Sequence, residues 1–383
     1  MSWMFLLSAG CFHSESDTPP VEPTFIEVTL GDAVATGSAE SPLPFSSEAS
    51  EIAISVTALN NNADPVDFTG TLTLNVRPGE LVGLPWVEMN GSTWEGTVSI
   101  KNGFGPTRIW VSDEGDLDVD SPRTPSFAAG VTEPIYFEIP TLSELNTIDD
   151  PETNQLDGEF AEIRCEDRDV RVSAVGSNGY WITDMADAPA SYNNLYIYTF
   201  SKPDPSIVKG ARLNLLTGND QEYLGTTQFS FPTYEVTDDP ISETPGALEI
   251  TADHCDGWRA DANALEPMES ALVTLTNATV PTSFNEGDED YSDYENYGQW
   301  PVQPDGSSCT FYVSSSAACP HFKPVAGQDL PAIHGMLNQV WDKWILVIRS
   351  SDDLPPGFCD AKAGGPPPRL TPRKRPSLTR RSK

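Results

Sequence analysis

Four histidines and six cysteines carry most of the chain's capacity for nucleophilic or metal chemistry, and their spacing gathers neither set into a site. His13, His254, His321 and His334 lie apart, with no carboxylates grouped around any of them. The chain has no G-x-S-x-G elbow, no H-E-x-x-H pair and no G-x-x-x-x-G-K phosphate loop. An enzyme site needs a nucleophile, a base and a charge-stabilising group that can converge. No such set is legible, so no catalytic residue is expected and the chain reads as a non-enzyme. The cysteines stand at 11, 165, 255, 309, 319 and 359, without a C-x-x-C pair or zinc-finger spacing. Scattered in this way, they read as disulfides of an oxidising compartment. Cys11 lies apart at the N-terminus, and the other five leave fifteen patterns of two bridges and one thiol. Cys309–Cys319 is the favoured pair, Cys165–Cys255 the next, and Cys359 the thiol left over.

Two acidic runs have the oxygen donors that Ca²⁺ takes. Asp116, Asp118 and Asp120 alternate in the run 113–120, and Asp288, Asp290 and Asp293 lie in the run 285–296. Neither has the glycine and distal glutamate of an EF-hand in register, so a solvated loop is the favoured reading of each. Ca²⁺ is the one cofactor these residues could take, and no other is expected. The aromatic residues offer a different chemistry. Trp181, Tyr196, Tyr198 and Phe200 fall on alternate positions of two neighbouring strands, while Ile182, Leu195 and Ile197 fall on the opposite face. An outward row of rings can stack bases or sugar rings. It can equally pack on a neighbouring module, which is the favoured reading because linked β-domains need apolar contacts.

Charge narrows the partners. The chain carries 22 Lys and Arg against 57 Asp and Glu, a formal charge of −35. Eight of the basic residues lie in 361–383, which holds no acid, so the first 360 residues carry −43. Such a body repels phosphate backbones and anionic head groups, which makes nucleic acid an unlikely partner. No stretch approaches the roughly 20 apolar residues of a membrane span.

Period-two apolar patterns separated by turn clusters run through most of the chain, and the fold class expected is all-β. Residues 24–140 read as a β-sandwich, with Ile52, Ile54, Val56 and Ala58, then Leu72, Leu74 and Val76, alternating against polar neighbours. The segment resembles the immunoglobulin-like modules of bacterial surface proteins. Residues 141–246 begin with a short helical turn at 141–146. Gly179-Tyr-Trp-Ile-Thr-Asp184, Leu195-Tyr-Ile-Tyr-Thr-Phe200 and Val208-x-Gly210-x-x-Leu213-x-x-Leu216-x-Gly218 follow. This order resembles the OB-fold modules that accompany secreted bacterial nucleases and envelope lipoproteins, with Ala211 where those modules carry Asp. Residues 247–358 repeat it. Val325-x-Gly327-x-x-Leu330-x-x-Ile333-x-Gly335 keeps the same spacing, and Trp300 is the expected counterpart of Trp181. Residues 359–383 are a proline-rich basic tail.

Residues 1–23 read as a signal and tether. Leu7-Ser-Ala-Gly-Cys11 resembles the lipobox of bacterial lipoproteins, whose cysteine is diacylated and becomes the new N-terminus. The leucine lies one place further upstream than is usual, and no Lys or Arg precedes the apolar run. The resemblance implies a membrane anchor at Cys11. With Phe12 in the sorting position, it implies the outer membrane as the site in the cell envelope. The reading as a whole is an immunoglobulin-like sandwich followed by two OB-like barrels. It would be a lipid-anchored binding or scaffold protein, facing periplasm or surface, with a protein or carbohydrate ligand. The alternative is an accessory OB-fold component of an extracellular nucleic-acid-processing system.

Overall fold

Alternation becomes burial in the runs read as strands: Ile52, Ile54, Val56 and Ala58 are buried, while Ala53, Ser55 and Thr57 are half-exposed. The computed structural model describes residues 23–31, 37–113, 127–147, 156–320 and 322–359. The chain divides into two units, the second made of Leu43–Glu48, Asn102–Gly105 and Phe137–Lys383. Across both units the protein is all-β, a sandwich followed by two closed OB-like barrels.

The sandwich has two antiparallel sheets. The first runs β1 (Phe25–Leu30), β2 (Ser50–Leu59), β6 (Thr93–Lys101) and β4 (Glu80–Val82) in spatial order. The second runs β5 (Trp86–Gly91), β3 (Phe68–Arg77), β7 (Gly105–Ser112) and β8 (Gly130–Val131), with β9 (Ile135–Phe137) also paired to β7. Leu72, Leu74 and Val76 of β3, Val98 and Ile100 of β6, and Ile109 and Val111 of β7 are all buried. This is the inward half of each period-two run.

The first barrel is entered through α1 (Leu142–Asn146), whose start is set by a capping box. The Thr141 hydroxyl accepts from the Glu144 N–H, and the Glu144 carboxylate accepts from the Thr141 N–H. Its strands are β11 (Val170–Val175), β12 (Gly179–Asp184), β13 (Asn194–Tyr198), β14 (Leu213–Tyr223) and β15 (Thr226–Val236), with β10 (Phe160–Ile163) added on β14. The spatial order β11-β12-β13-β15-β14 returns to β11 through the Arg171–Arg212 bridge. Among the described residues only β13 and β15 run parallel in this barrel. Tyr180, Ile182, Leu195, Ile197, Leu213, Leu216 and Phe229 fill its core, so the aliphatic set expected inside is inside. Phe45 and Phe104, from segments read as part of the sandwich, also belong to this core. Asp184, which ends the Tyr-Trp-Ile-Thr-Asp motif, is a structural residue. It is fully buried, bound by Arg168 Nε at 2.7 Å, and accepts from the Ala186 N–H.

The second barrel repeats that path with β19 (Leu272–Thr279), β20 (Gln299–Pro304), β21 (Phe311–Ser314), β23 (Lys343–Val347) and β22 (Asp329–Val340), closing from β22 back to β19. Here β21 and β23 are the parallel pair, and β16 (Leu248–Ile250) is added on β19. Shared order and shared parallel pair support duplication. The tryptophans do not correspond. Trp300 lies fully buried in the core opposite Val313, and the residue opposite Ile197 in the first barrel is Tyr180, not Trp181. The correspondence is one place off, and one place changes the face of a strand.

The disulfides differ from those expected. Cys255 pairs with Cys309 and Cys319 with Cys359, at Cα separations of 5.8 and 5.1 Å, and Cys165 is the free thiol. Cys309 and Cys319 flank β21, and each is paired with a cysteine from outside that strand and its loop. Cys255 opens a small hairpin of β17 (Cys255–Asp256) and β18 (Arg259–Ala260), and Arg259 bridges to Thr310 beside Cys309. Cys165 lies in the core of the first barrel, where burial pushes its thiol up to about 12.

The second acidic run, expected as a solvated loop, is helical over most of its length. A short α2 (Ala262–Leu265) precedes it in the chain, and α3 (Glu289–Tyr297) covers the run from Glu289 onward, ending at Gly298 with φ +71. Asp290 and Asp293, three apart, share a helix face. Lys343 Nζ lies 2.5 Å from Asp293 and 3.9 Å from Asp290, so the chain supplies its own cation. Among the described residues no helix is long and apolar enough to cross a membrane.

Candidate functional site

The face of β12 and β13 turned away from the barrel core begins covered and ends open. Trp181 and Tyr196 are buried with Ala174 against Met336 of the second barrel. The Trp181 indole N–H donates to Asn338 Oδ1 at 3.1 Å. At these two residues the row of rings is packing between barrels. Tyr198 is half-buried, and Phe200 is 53% exposed. The row then crosses to β15 and ends on Phe231, which is 68% exposed. Ring centroids lie 4.8 Å apart from Trp181 to Tyr196, 6.4 Å from Tyr196 to Tyr198, 4.4 Å from Tyr198 to Phe200 and 4.7 Å from Phe200 to Phe231.

The open end of this row is one wall of a cleft of about 620 Å³ at the junction of the barrels. Tyr223 and Leu224 add apolar surface, and Asn338 and Val340 come from the second barrel. Between the rings stand Asn178, Gln221, Thr226, Gln228 and Ser230. Some of these groups hold one another in place: Tyr196 donates to Asn178 Oδ1 at 3.2 Å and Ser230 to Gln221 Oε1 at 3.0 Å. None of the cleft's lining residues is charged. Flat apolar faces beside neutral donors and acceptors suit a ligand that carries both.

Local backbone explains how the wall is built. β14 and β15 are joined by Leu224 and Gly225, both left-handed (φ +60 and +94), as a two-residue hairpin turn requires. A second hairpin turn, at Trp341, meets it, and the Trp341 N–H donates to the Leu224 carbonyl. Further along, Gly218 on β14 faces two residues on β15, Phe231 and Pro232, where the register shifts between Asn219–Ser230 and Thr217–Thr233. That is a β-bulge, and it swings Phe231 toward Phe200. Sequence reading missed Phe231 and Tyr223. The available signal was Phe231-Pro232 in a strand, since proline interrupts a ladder and marks a bulge or edge.

A second feature missed from the sequence lies against the cleft. Glu222, between the lining residues Gln221 and Tyr223, accepts from the Thr227 hydroxyl at 2.8 Å. Glu269 accepts from the Thr227 N–H at 3.0 Å. Burial pushes the Glu222 carboxyl up to about 7, with Asp157 adding repulsion. Glu266 and Glu269 are also raised, first by burial and then by neighbouring glutamates: Glu222 acts on Glu266, and Glu266 and Glu222 act on Glu269. Among the described residues no lysine or arginine is one of the groups acting on these three.

The other residues singled out in the sequence do not join this site. Cys11 and Asp116, Asp118 and Asp120 lie outside the described residues, as do His13 and His321. His254 Nδ1 accepts from the Thr251 N–H inside a turn, and His334 is a strand residue paired with Thr274. Among the described residues no group of three or more His, Cys, Asp or Glu is arranged to hold a metal ion. The chain matches no family model and no curated protein.

Proposed function

We propose that the chain is a non-enzymatic binding protein of the cell envelope, with its ligand held in the aromatic cleft between the two barrels. The observation that carries this reading is the open end of the ring row. Tyr198, Phe200 and Phe231 line an uncharged cleft instead of being wholly absorbed into barrel packing. The nucleic-acid alternative is less well supported, because affinity for a phosphate backbone rests on lysine and arginine, and the cleft lining has neither. Affinity electrophoresis through gels containing uncharged polysaccharide, acidic polysaccharide or single-stranded oligonucleotide tests the cleft. The protein is expected to be retarded in at least one gel, and Tyr198→Ser to migrate freely. Free migration of the parent in every gel would remove the reading.

The anchor belongs to the same proposal. The small-residue run before Cys11 supports diacylation there, which would tether the modules to the outer membrane. Expressed in a Gram-negative host behind a lipoprotein signal sequence, the chain is expected to take up labelled palmitate and sediment with membranes. Cys11→Ser is expected to release it. A soluble, unlabelled parent would sink the anchor.

A further inference from the structure

Phe200 and Phe231 are placed where the fold itself gains least from them. Both rings are exposed, and both residues sit in the left-handed region, with φ of +61 and +53. A bulky residue there is strained relative to one that adopts the conformation freely. A bulge of this kind ordinarily takes glycine at its first position, and an exposed bend takes glycine or asparagine. In this chain two phenylalanines occupy such positions, Phe200 in the bend after β13 and Phe231 on β15, and their rings meet at 4.7 Å. Backbone strain and exposed apolar surface coinciding at both members of one pair point to a role outside folding.

The geometry of the row narrows what would cover it. Successive planes turn by 40° from Tyr196 to Tyr198, 48° to Phe200 and 41° to Phe231. A rigid planar ligand touches one ring of such a row. A chain of linked units that rotate in turn can follow several. The amides of Asn178, Gln221 and Gln228 and the hydroxyls of Thr226 and Ser230 offer donors and acceptors without charge. A body of −43 over the first 360 residues repels polyanions. A chain of rings rich in hydroxyl groups and free of charge meets all these conditions.

Resting on the cleft reading above, we infer that the ligand is an uncharged oligosaccharide segment and that Phe200 and Phe231 form its terminal stacking platform. The test is calorimetric titration of the full chain. Probes are uncharged oligosaccharides of glucose, xylose, mannose and N-acetylglucosamine, from disaccharide to hexasaccharide, with oligogalacturonate and oligothymidylate as charged counterparts. At least one uncharged series is expected to bind, with affinity rising with length and then levelling, while the charged probes do not. Phe200→Gly with Phe231→Gly relieves both strained positions. It is expected to keep or raise Tm while weakening binding about tenfold or more, the scale of a lost stacking contact. Phe231→Asn, which tolerates the left-handed region, is the second variant and is expected to weaken binding in the same direction. Unchanged affinity in these variants, a Tm below the parent, or failure of both to fold would overturn the platform. Binding by no uncharged probe would overturn the ligand class. Binding of oligothymidylate that Tyr198→Ser abolishes, with every sugar silent, would leave the cleft standing and remove the oligosaccharide.

Discussion

Trp181→Ala is expected to destabilise the two-barrel unit by about 3–5 kcal/mol, the usual cost of deleting a large buried aromatic side chain. Trp181 is buried against Tyr196 and Met336, and its N–H is committed to Asn338 Oδ1. Truncation removes the stack, opens a cavity at the junction and leaves that oxygen without its donor. Trp181→Phe separates these effects. It keeps most of the packing and loses only the hydrogen bond, for which about 1–3 kcal/mol is expected because the remaining partner is buried. Differential scanning calorimetry of parent, Trp181→Phe and Trp181→Ala should therefore give three midpoints in descending order. Tyr198→Ser, at the half-buried end of the row, should melt close to the parent. If Trp181→Ala kept the parent's midpoint, the junction would not be held by this residue. The division of the row into a packing end and an open end would then be wrong.

That division shows where sequence reading stops. Period-two alternation was enough to place Ile182, Leu195 and Ile197 in the barrel core, and the run 141–146 was legible as the short helical turn that α1 forms. Both depend on neighbours a few residues apart. The face turned outward from β12 and β13 was legible as a face, but its fate depends on Met336 and Asn338, some 150 residues away by number. The repeat was legible in the glycine and leucine spacing around Gly218 and Gly335, whereas matching Trp181 to Trp300 erred by a single place. In a strand that error exchanges inside for outside. The disulfides failed as well. Cys309–Cys319 was favoured as the closure of the loop after a strand, and each of the two finds its partner elsewhere in the chain, Cys255 and Cys359. The acidic run 285–296 read as a solvated loop, and most of it is instead the helix α3, to which Lys343, 50 residues after Asp293, supplies a cation. The three glutamates at the junction gave no signal at all. Glu222 sits in a polar stretch and Glu266 and Glu269 between apolar neighbours, and nothing in either pattern brings the three together.

Those glutamates make the stability of the junction depend on pH, and the sign follows from their shifts. A carboxyl whose folded pKa is raised holds its proton more firmly in the folded state. Folding then binds protons between the unfolded and folded pKa values, and stability falls as pH rises through that window. For Glu222 the window runs from 4.5 to about 7, which at about 1.4 kcal/mol per unit amounts to about 3 kcal/mol. Glu266 and Glu269 extend it upward, because burial and mutual repulsion raise both. The parent is expected to melt at a higher temperature near about pH 5 than near about pH 8. The acidity of the whole chain acts in the same direction, since fewer ionised carboxylates mean less self-repulsion. The decisive quantity is therefore the difference between parent and variant. Glu269→Gln cannot ionise, and its amide oxygen can still accept from the Thr227 N–H as the carboxylate does. It also lifts the repulsion that Glu269 exerts on its neighbours. The expected result is a melting curve much flatter in pH, with the variant at or below the parent in acid and above it in mild alkali. Curves for parent and Glu269→Gln that stayed parallel across the range would show that the buried cluster does not govern the junction.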